Sequence, residues 1–138
     1  MKHFFIGLLF LGIIGCAPQE KPLAGSDRDL HGCIGSAGYT FSTVKNACIR
    51  LWEEGKPLLP VRSEGAVLAA YVIMGDGTAE VFLPKNEQPL QLVAVYQNER
   101  PQWETTDGSG WKLTADDAGG WELLQNDTLL YRTAQPNH

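Results

Sequence analysis

A chain of 138 residues has room for one domain, and 43% hydrophobic with 20% charged residues is a globular balance that excludes wholesale disorder. The formal net charge is −5 and no run of Lys or Arg interrupts it. The basic footprint of a nucleic-acid partner is therefore missing.

Met1-Lys2-His3 is short and positive, and Phe4 to Ile14 then runs apolar without a charge. Such a stretch is about half of what spans a hydrocarbon core as a helix. It has the length of a secretory leader, which makes a transmembrane anchor the weaker reading. The segment ends Ile13-Ile14-Gly15-Cys16, which resembles the lipobox of bacterial lipoproteins. The resemblance implies diacylglycerol on the Cys16 sulfur, cleavage before Cys16 and acylation of the new amino terminus. Two or three acyl chains on one residue hold a protein stably to a membrane. Ala17 rather than Asp follows, which by the same resemblance implies sorting to the outer membrane. Residues 1–15 are thus expected to be a leader and 16–28 a lipidated tether, polar and carrying Pro18 and Pro22. Without Lys2 the mature chain has ten basic against sixteen acidic residues.

With Cys16 lipidated, Cys33 and Cys48 remain as a pair in an oxidising compartment, where disulfides persist. A bridge between them closes a loop of about 15 residues, worth on the order of 3 kcal/mol by chain entropy. The alternative is a metal site with His31 as third ligand, but paired C-x-x-C spacing is absent. Gly35 and Gly38 favour a tight turn before Tyr39. Tyr39-Thr40-Phe41 and Cys48-Ile49-Arg50-Leu51 are β-prone around a polar turn, which predicts a hairpin. A short helix over Thr43 to Trp52 competes with it. Neighbours such as Glu53 and Glu54 point apart on either element, which argues against a catalytic pair. Gly32 through Phe41 and Cys48 through Glu54 resemble a cysteine module of small bacterial envelope proteins, with the pattern Gly-Cys-Ile-x-Ser-Ala-Gly-Tyr-x-aromatic and a later Cys-Ile-Arg. Ser42 stands where some relatives carry a further Cys. The resemblance implies an envelope location and no particular activity.

Residues 29–56 are therefore taken as the cysteine module and 57–134 as an antiparallel β domain. Pro57-Leu58-Leu59-Pro60 reads as a stiff link between them. Beyond Ala66, turn residues recur every 8 to 12 positions, at Gly75-Asp76-Gly77, Pro84-Lys85-Asn86, Asn98-Glu99, Asp107 to Gly110, Asp116 to Gly120 and Asn126-Asp127. That rhythm predicts an all-β fold, the stapled hairpin followed by a small barrel or sandwich of six or seven strands. Ala79, Val81 and Leu83 share one strand face, as do Trp111 with Leu113 and Trp121 with Leu123. Glu80, Lys112 and Glu122 occupy opposite faces, expected to be wet. Val67 to Met74 is apolar on both faces and is expected to be central. Gly-Trp-x-Leu occurs twice, at 110–113 and 120–123, at the spacing of neighbouring hairpin strands. Trp103, Trp111 and Trp121 could line a stacking platform, but alternation with polar residues favours core.

Catalysis needs a nucleophile, an acid or base, or a metal held close together. After cleavage His31 and the terminal His138 are the only histidines, and Ser36 lies in no G-x-S-x-G context. The expectation is a protein without catalytic residues, cofactor or metal. Its partners would be the membrane, through lipid, and an envelope or host protein or a glycan, through loops or a strand edge. Ser36, Tyr39 and Arg50 are the candidate surface. A purely structural lipoprotein is the second reading. The third is an inhibitor of C-type lysozyme. Membrane-bound inhibitors of that kind are small β-barrel lipoproteins, and Ser36-Ala37-Gly38-Tyr39 loosely resembles their Ser-Ala-Ser-Gly-x-x-Tyr loop.

Overall fold

The computed structural model describes residues 27–135. The expected leader, Cys16 and most of the tether lie outside the described residues, as does His138. From Lys56 onward eight short strands follow one another: β3 (Lys56–Pro60), β4 (Ala70–Met74), β5 (Thr78–Phe82), β6 (Leu90–Gln97), β7 (Arg100–Glu104), β8 (Trp111–Ala115), β9 (Trp121–Gln125) and β10 (Thr128–Arg132). Each pairs antiparallel with the next, and β10 returns to β3 to close a barrel. Tight turns make this meander possible. Asn98 and Glu99 adopt φ of +53° and +65°, and Asn126 and Asp127 adopt +48° and +63°. Two successive left-handed residues are what a two-residue hairpin turn requires.

The expected barrel or sandwich of six or seven strands is thus a closed barrel of eight. The added strand comes from the segment expected to be a link. Pro57 pairs with Tyr71 and Leu58 with Ala70 on one side, while Leu59 and Pro60 pair with Arg132 and Tyr131 on the other. Proline lacks the amide donor a ladder uses. Here the next amide supplies the bond, Val61 N–H donating to the Leu130 carbonyl at 2.9 Å. Val67 and Leu68 are not central: β4 begins at Ala70, and these two side chains are 55% and 47% exposed.

Period-two alternation fills the barrel. Val72 faces Val81, Ala79 faces Leu92 and Leu113 faces Leu123 across adjacent strands. With Leu58 and Ala70 they form one buried cluster, against which Met74, Leu83, Leu90, Trp103, Trp111, Trp121 and Tyr131 pack. Each fully buried Leu or Val contributes about 1.5–3 kcal/mol. Eight strands enclose an interior that side chains alone can fill. The three tryptophans are therefore core, with Trp103 and Trp121 meeting edge to face at 5.2 Å between centroids. The Trp103 Nε1–H is buried and has no acceptor among the described residues. An unpaired buried donor costs about 1–3 kcal/mol. Trp103→Phe is accordingly expected to stay within about 1 kcal/mol of the parent in urea unfolding, the lost ring area offsetting the relieved donor.

The segment before the barrel forms the hairpin that the cysteines predict. The Asp29 carboxylate accepts the amides of His31 and Cys33, turning the chain into a 3-10 turn at Gly35–Ala37. Gly38 closes that turn at φ +82°. β1 (Thr40–Ser42) then pairs with β2 (Ala47–Ile49), Phe41 opposite Cys48. The helix alternative survives only as α1 (Leu51–Glu54) after the hairpin. Cys33 and Cys48 are joined, with sulfurs 2.03 Å and Cα atoms 5.5 Å apart. That bond overturns the metal alternative, because neither sulfur is free to ligate.

Candidate functional site

The stapled module lies against the outside of the barrel, and one carboxylate holds it there. Glu80 alternates with the core residues Ala79 and Val81 and so projects outward, yet it is 0% exposed. The expectation of a wet face fails at this position because the module covers it. Glu80 accepts the Ser42 hydroxyl at 2.5 Å and the amides of Thr43 and Val44 at 2.9 and 3.4 Å. Gln91, its cross-strand neighbour on β6, donates a fourth bond at 2.8 Å. Ser42 is also fully buried, and its oxygen accepts the Lys45 amide. A buried charge is tolerable when its lone pairs are filled in this way. Ile73, opposite Glu80 on β4, points outward but is 1% exposed. Burial under the module explains why β4 is apolar on both faces.

On the module's open side, two of the three expected surface residues come together. The Arg50 guanidinium stacks over the Tyr39 ring, its Cζ 4.5 Å from the centroid, and lies 6.0 Å from that of Trp52. Its Nε donates to the Ala37 carbonyl at 3.1 Å, and its Nη1 pairs with Glu53 at 3.1 Å. Cation–π contact and a backbone acceptor together fix a side chain that is otherwise flexible. Trp52, which sequence reasoning did not single out, is 59% exposed. Its six-membered ring rests against Gly38, where an added Cβ would overlap it. Gly38→Ala is expected to cost about 1–2 kcal/mol, from the left-handed φ and the displaced indole, with the Trp52 environment visibly altered in near-UV circular dichroism. The signal that could have found Trp52 is its isolation. It is the one tryptophan outside the alternating β region, followed at once by Glu53-Glu54-Gly55.

Ser36, the third expected residue, belongs to the turn that carries Ala37. Its hydroxyl and amide donate to the two oxygens of Asp27, at 2.6 and 2.8 Å. Those bonds, the side-chain one first, hold the Asp27 carboxyl below the ordinary aspartate value. A lowered carboxyl favours the folded turn above that value and loses the contribution as acid protonates it, so the tie persists at neutral pH. His31 stacks flat on Phe41, centroids 3.9 Å apart at 7°. Asp116 shapes the β8–β9 turn by accepting the amides of Ala118 and Gly120. Among the described residues no cluster of three or more His, Cys, Asp or Glu is arranged to hold a metal. No helix among them is long and apolar enough to cross a membrane.

Comparison with known protein families, with curated proteins and with solved structures gives no match for this chain.

Proposed function

We propose that this protein is a lipid-anchored component of the bacterial cell envelope, held at the outer membrane through Cys16, whose stapled module binds a partner without catalysing a reaction. The observation that carries the binding role is the platform of Tyr39, Arg50 and Trp52. Three tryptophans are spent on the barrel core, while the fourth is kept in water and braced by Gly38 and Arg50. Fixing a surface before its ligand arrives lowers the entropic cost of binding. The barrel, packed solid, serves as the scaffold that carries the module. The leader and lipobox support the location, and the pairing of Cys33 with Cys48 suits an oxidising space.

The test is a photocrosslinking residue placed at 39 or 52 in the full chain, made by cells that export it, with position 107 as the control. Adducts are expected from 39 and 52 and not from 107. Their absence at all three removes a protein partner from the platform. Mass spectrometry of the native product is expected to find acylated Cys16 at the amino terminus, and an unmodified thiol there would overturn the anchor.

Inhibition of C-type lysozyme is the second reading. A small closed antiparallel barrel is the architecture that resemblance implied. Ser36 to Tyr39 lies in the module rather than in a barrel loop, which counts against it. Stoichiometric inhibition in a lysozyme assay would promote this reading, and undiminished lysozyme activity would remove it.

A further inference from the structure

We propose that the platform is a saccharide-stacking site, in which one pyranose ring of a neutral glycan lies on the exposed face of Trp52 and its hydroxyls bridge to Arg50 and Glu53. This rests on the reading of the same surface as a ligand site and names the chemistry of the ligand. A sugar ring offers an apolar face of C–H bonds edged by hydroxyls that both donate and accept. Trp52 supplies a flat, amphipathic partner for the first. Beside it, Arg50 supplies donors and Glu53 an acceptor, already paired at 3.1 Å. The charges of that pair cancel, and Glu54 beside it disfavours an anion, so the site suits an uncharged ligand. The tip of the indole meets Gly38 and Arg50 lies over its ring, so a sugar that docks finds the indole constrained on two sides.

The surroundings favour a sugar over a protein partner. The core of a protein–protein interface, where aromatic anchors sit, is depleted of Glu and Lys. Trp52 is flanked instead by Arg50, Glu53 and Glu54, with the side chains of Arg50 and Glu53 33% and 53% exposed. A wet, polar edge suits hydroxyls. A single stacking ring also sets the scale of affinity, with a dissociation constant on the order of 1 mM for a short oligosaccharide.

The test is proton–nitrogen NMR of the mature protein in micelles of a detergent without a sugar headgroup, titrated with β-1,4-linked tetrasaccharides of glucose and of N-acetylglucosamine. The Trp52 indole N–H and the Gly38 amide are expected to shift progressively, while the indoles of Trp103, Trp111 and Trp121 stay in place. Trp52→Ala should abolish the shift at Gly38. Trp52→Tyr, which keeps an aromatic face, should retain it with affinity reduced by up to about tenfold, a loss of roughly 1.4 kcal/mol. No shift at either position with both sugars, or an equal response at Gly38 in Trp52→Ala, overturns the proposal. A protein crosslinked from position 52, with no response to either sugar, overturns the saccharide and leaves the platform standing. Neither adduct nor shift overturns both.

Discussion

Replacing Glu80 by alanine is expected to lower the unfolding free energy by about 3 kcal/mol, measured by urea denaturation. The substitution strands the Ser42 hydroxyl and the amides of Thr43 and Val44, all of which donate to this carboxylate. Each buried donor left without an acceptor costs about 1–3 kcal/mol, and water entering the vacated space recovers part of that. Glu80→Gln preserves shape but turns an amide NH2 toward one or more of these donors, so it is expected to recover little. The loss should be local before it is global. Amide exchange is expected to quicken first at residues 40–49, while Leu113 and Leu123 at the barrel centre keep their protection. A loss below about 1 kcal/mol, or uniform loss of protection, would show that the carboxylate is not what holds the module down.

Removing the disulfide, by reduction or as Cys33→Ser with Cys48→Ser, is expected to cost about 3 kcal/mol through the loop of 15 residues it closes. The buried barrel cluster runs from Leu58 to Leu123 and contains no residue of the module, so the barrel should survive the loss. The expected readout is proteolytic cleavage within residues 29–49 of the reduced protein, with the fragment from Lys56 onward resistant. Reduction and Glu80→Ala act on the same docked element. Their effects should therefore fall short of additive by more than about 0.5 kcal/mol, whereas reduction combined with Trp103→Phe should add within that margin. A barrel that unfolds together with the module would refute this independence.

The barrel strands were legible because each carries its own punctuation. Left-handed Asn-Glu and Asn-Asp pairs mark the turns, and alternation in Ala79-Glu80-Val81 or Trp111-Lys112-Leu113 marks the faces. The pairing of Cys33 with Cys48 followed from counting thiols once the lipobox resemblance had set Cys16 aside. Two features resisted reading for opposite reasons. Pro57 and Pro60 argue locally against a strand, and only pairing with β4 on one side and the distant β10 on the other explains why the segment is one. Glu80 reads as a solvated residue because alternation reports which side of a strand a residue occupies, not what later covers that side. Its burial depends on Ser42 to Val44, nearly forty positions earlier. The candidate surface was half legible. Tyr39 and Arg50 were named from their motif, but Trp52 joins them only through the turn that Gly38 allows.

Closure at the β3–β10 seam has a consequence for how the molecule assembles. Every other pairing in the ring joins strands that follow each other in sequence, so the meander can zip up hairpin by hairpin. Bringing Tyr131 to Pro60 instead requires the two ends of the barrel sequence to meet, a loop-closure cost repaid late. The seam, with two paired positions, is therefore expected to form last and to open first, and faster amide exchange at Val61 than at Leu113 would check it.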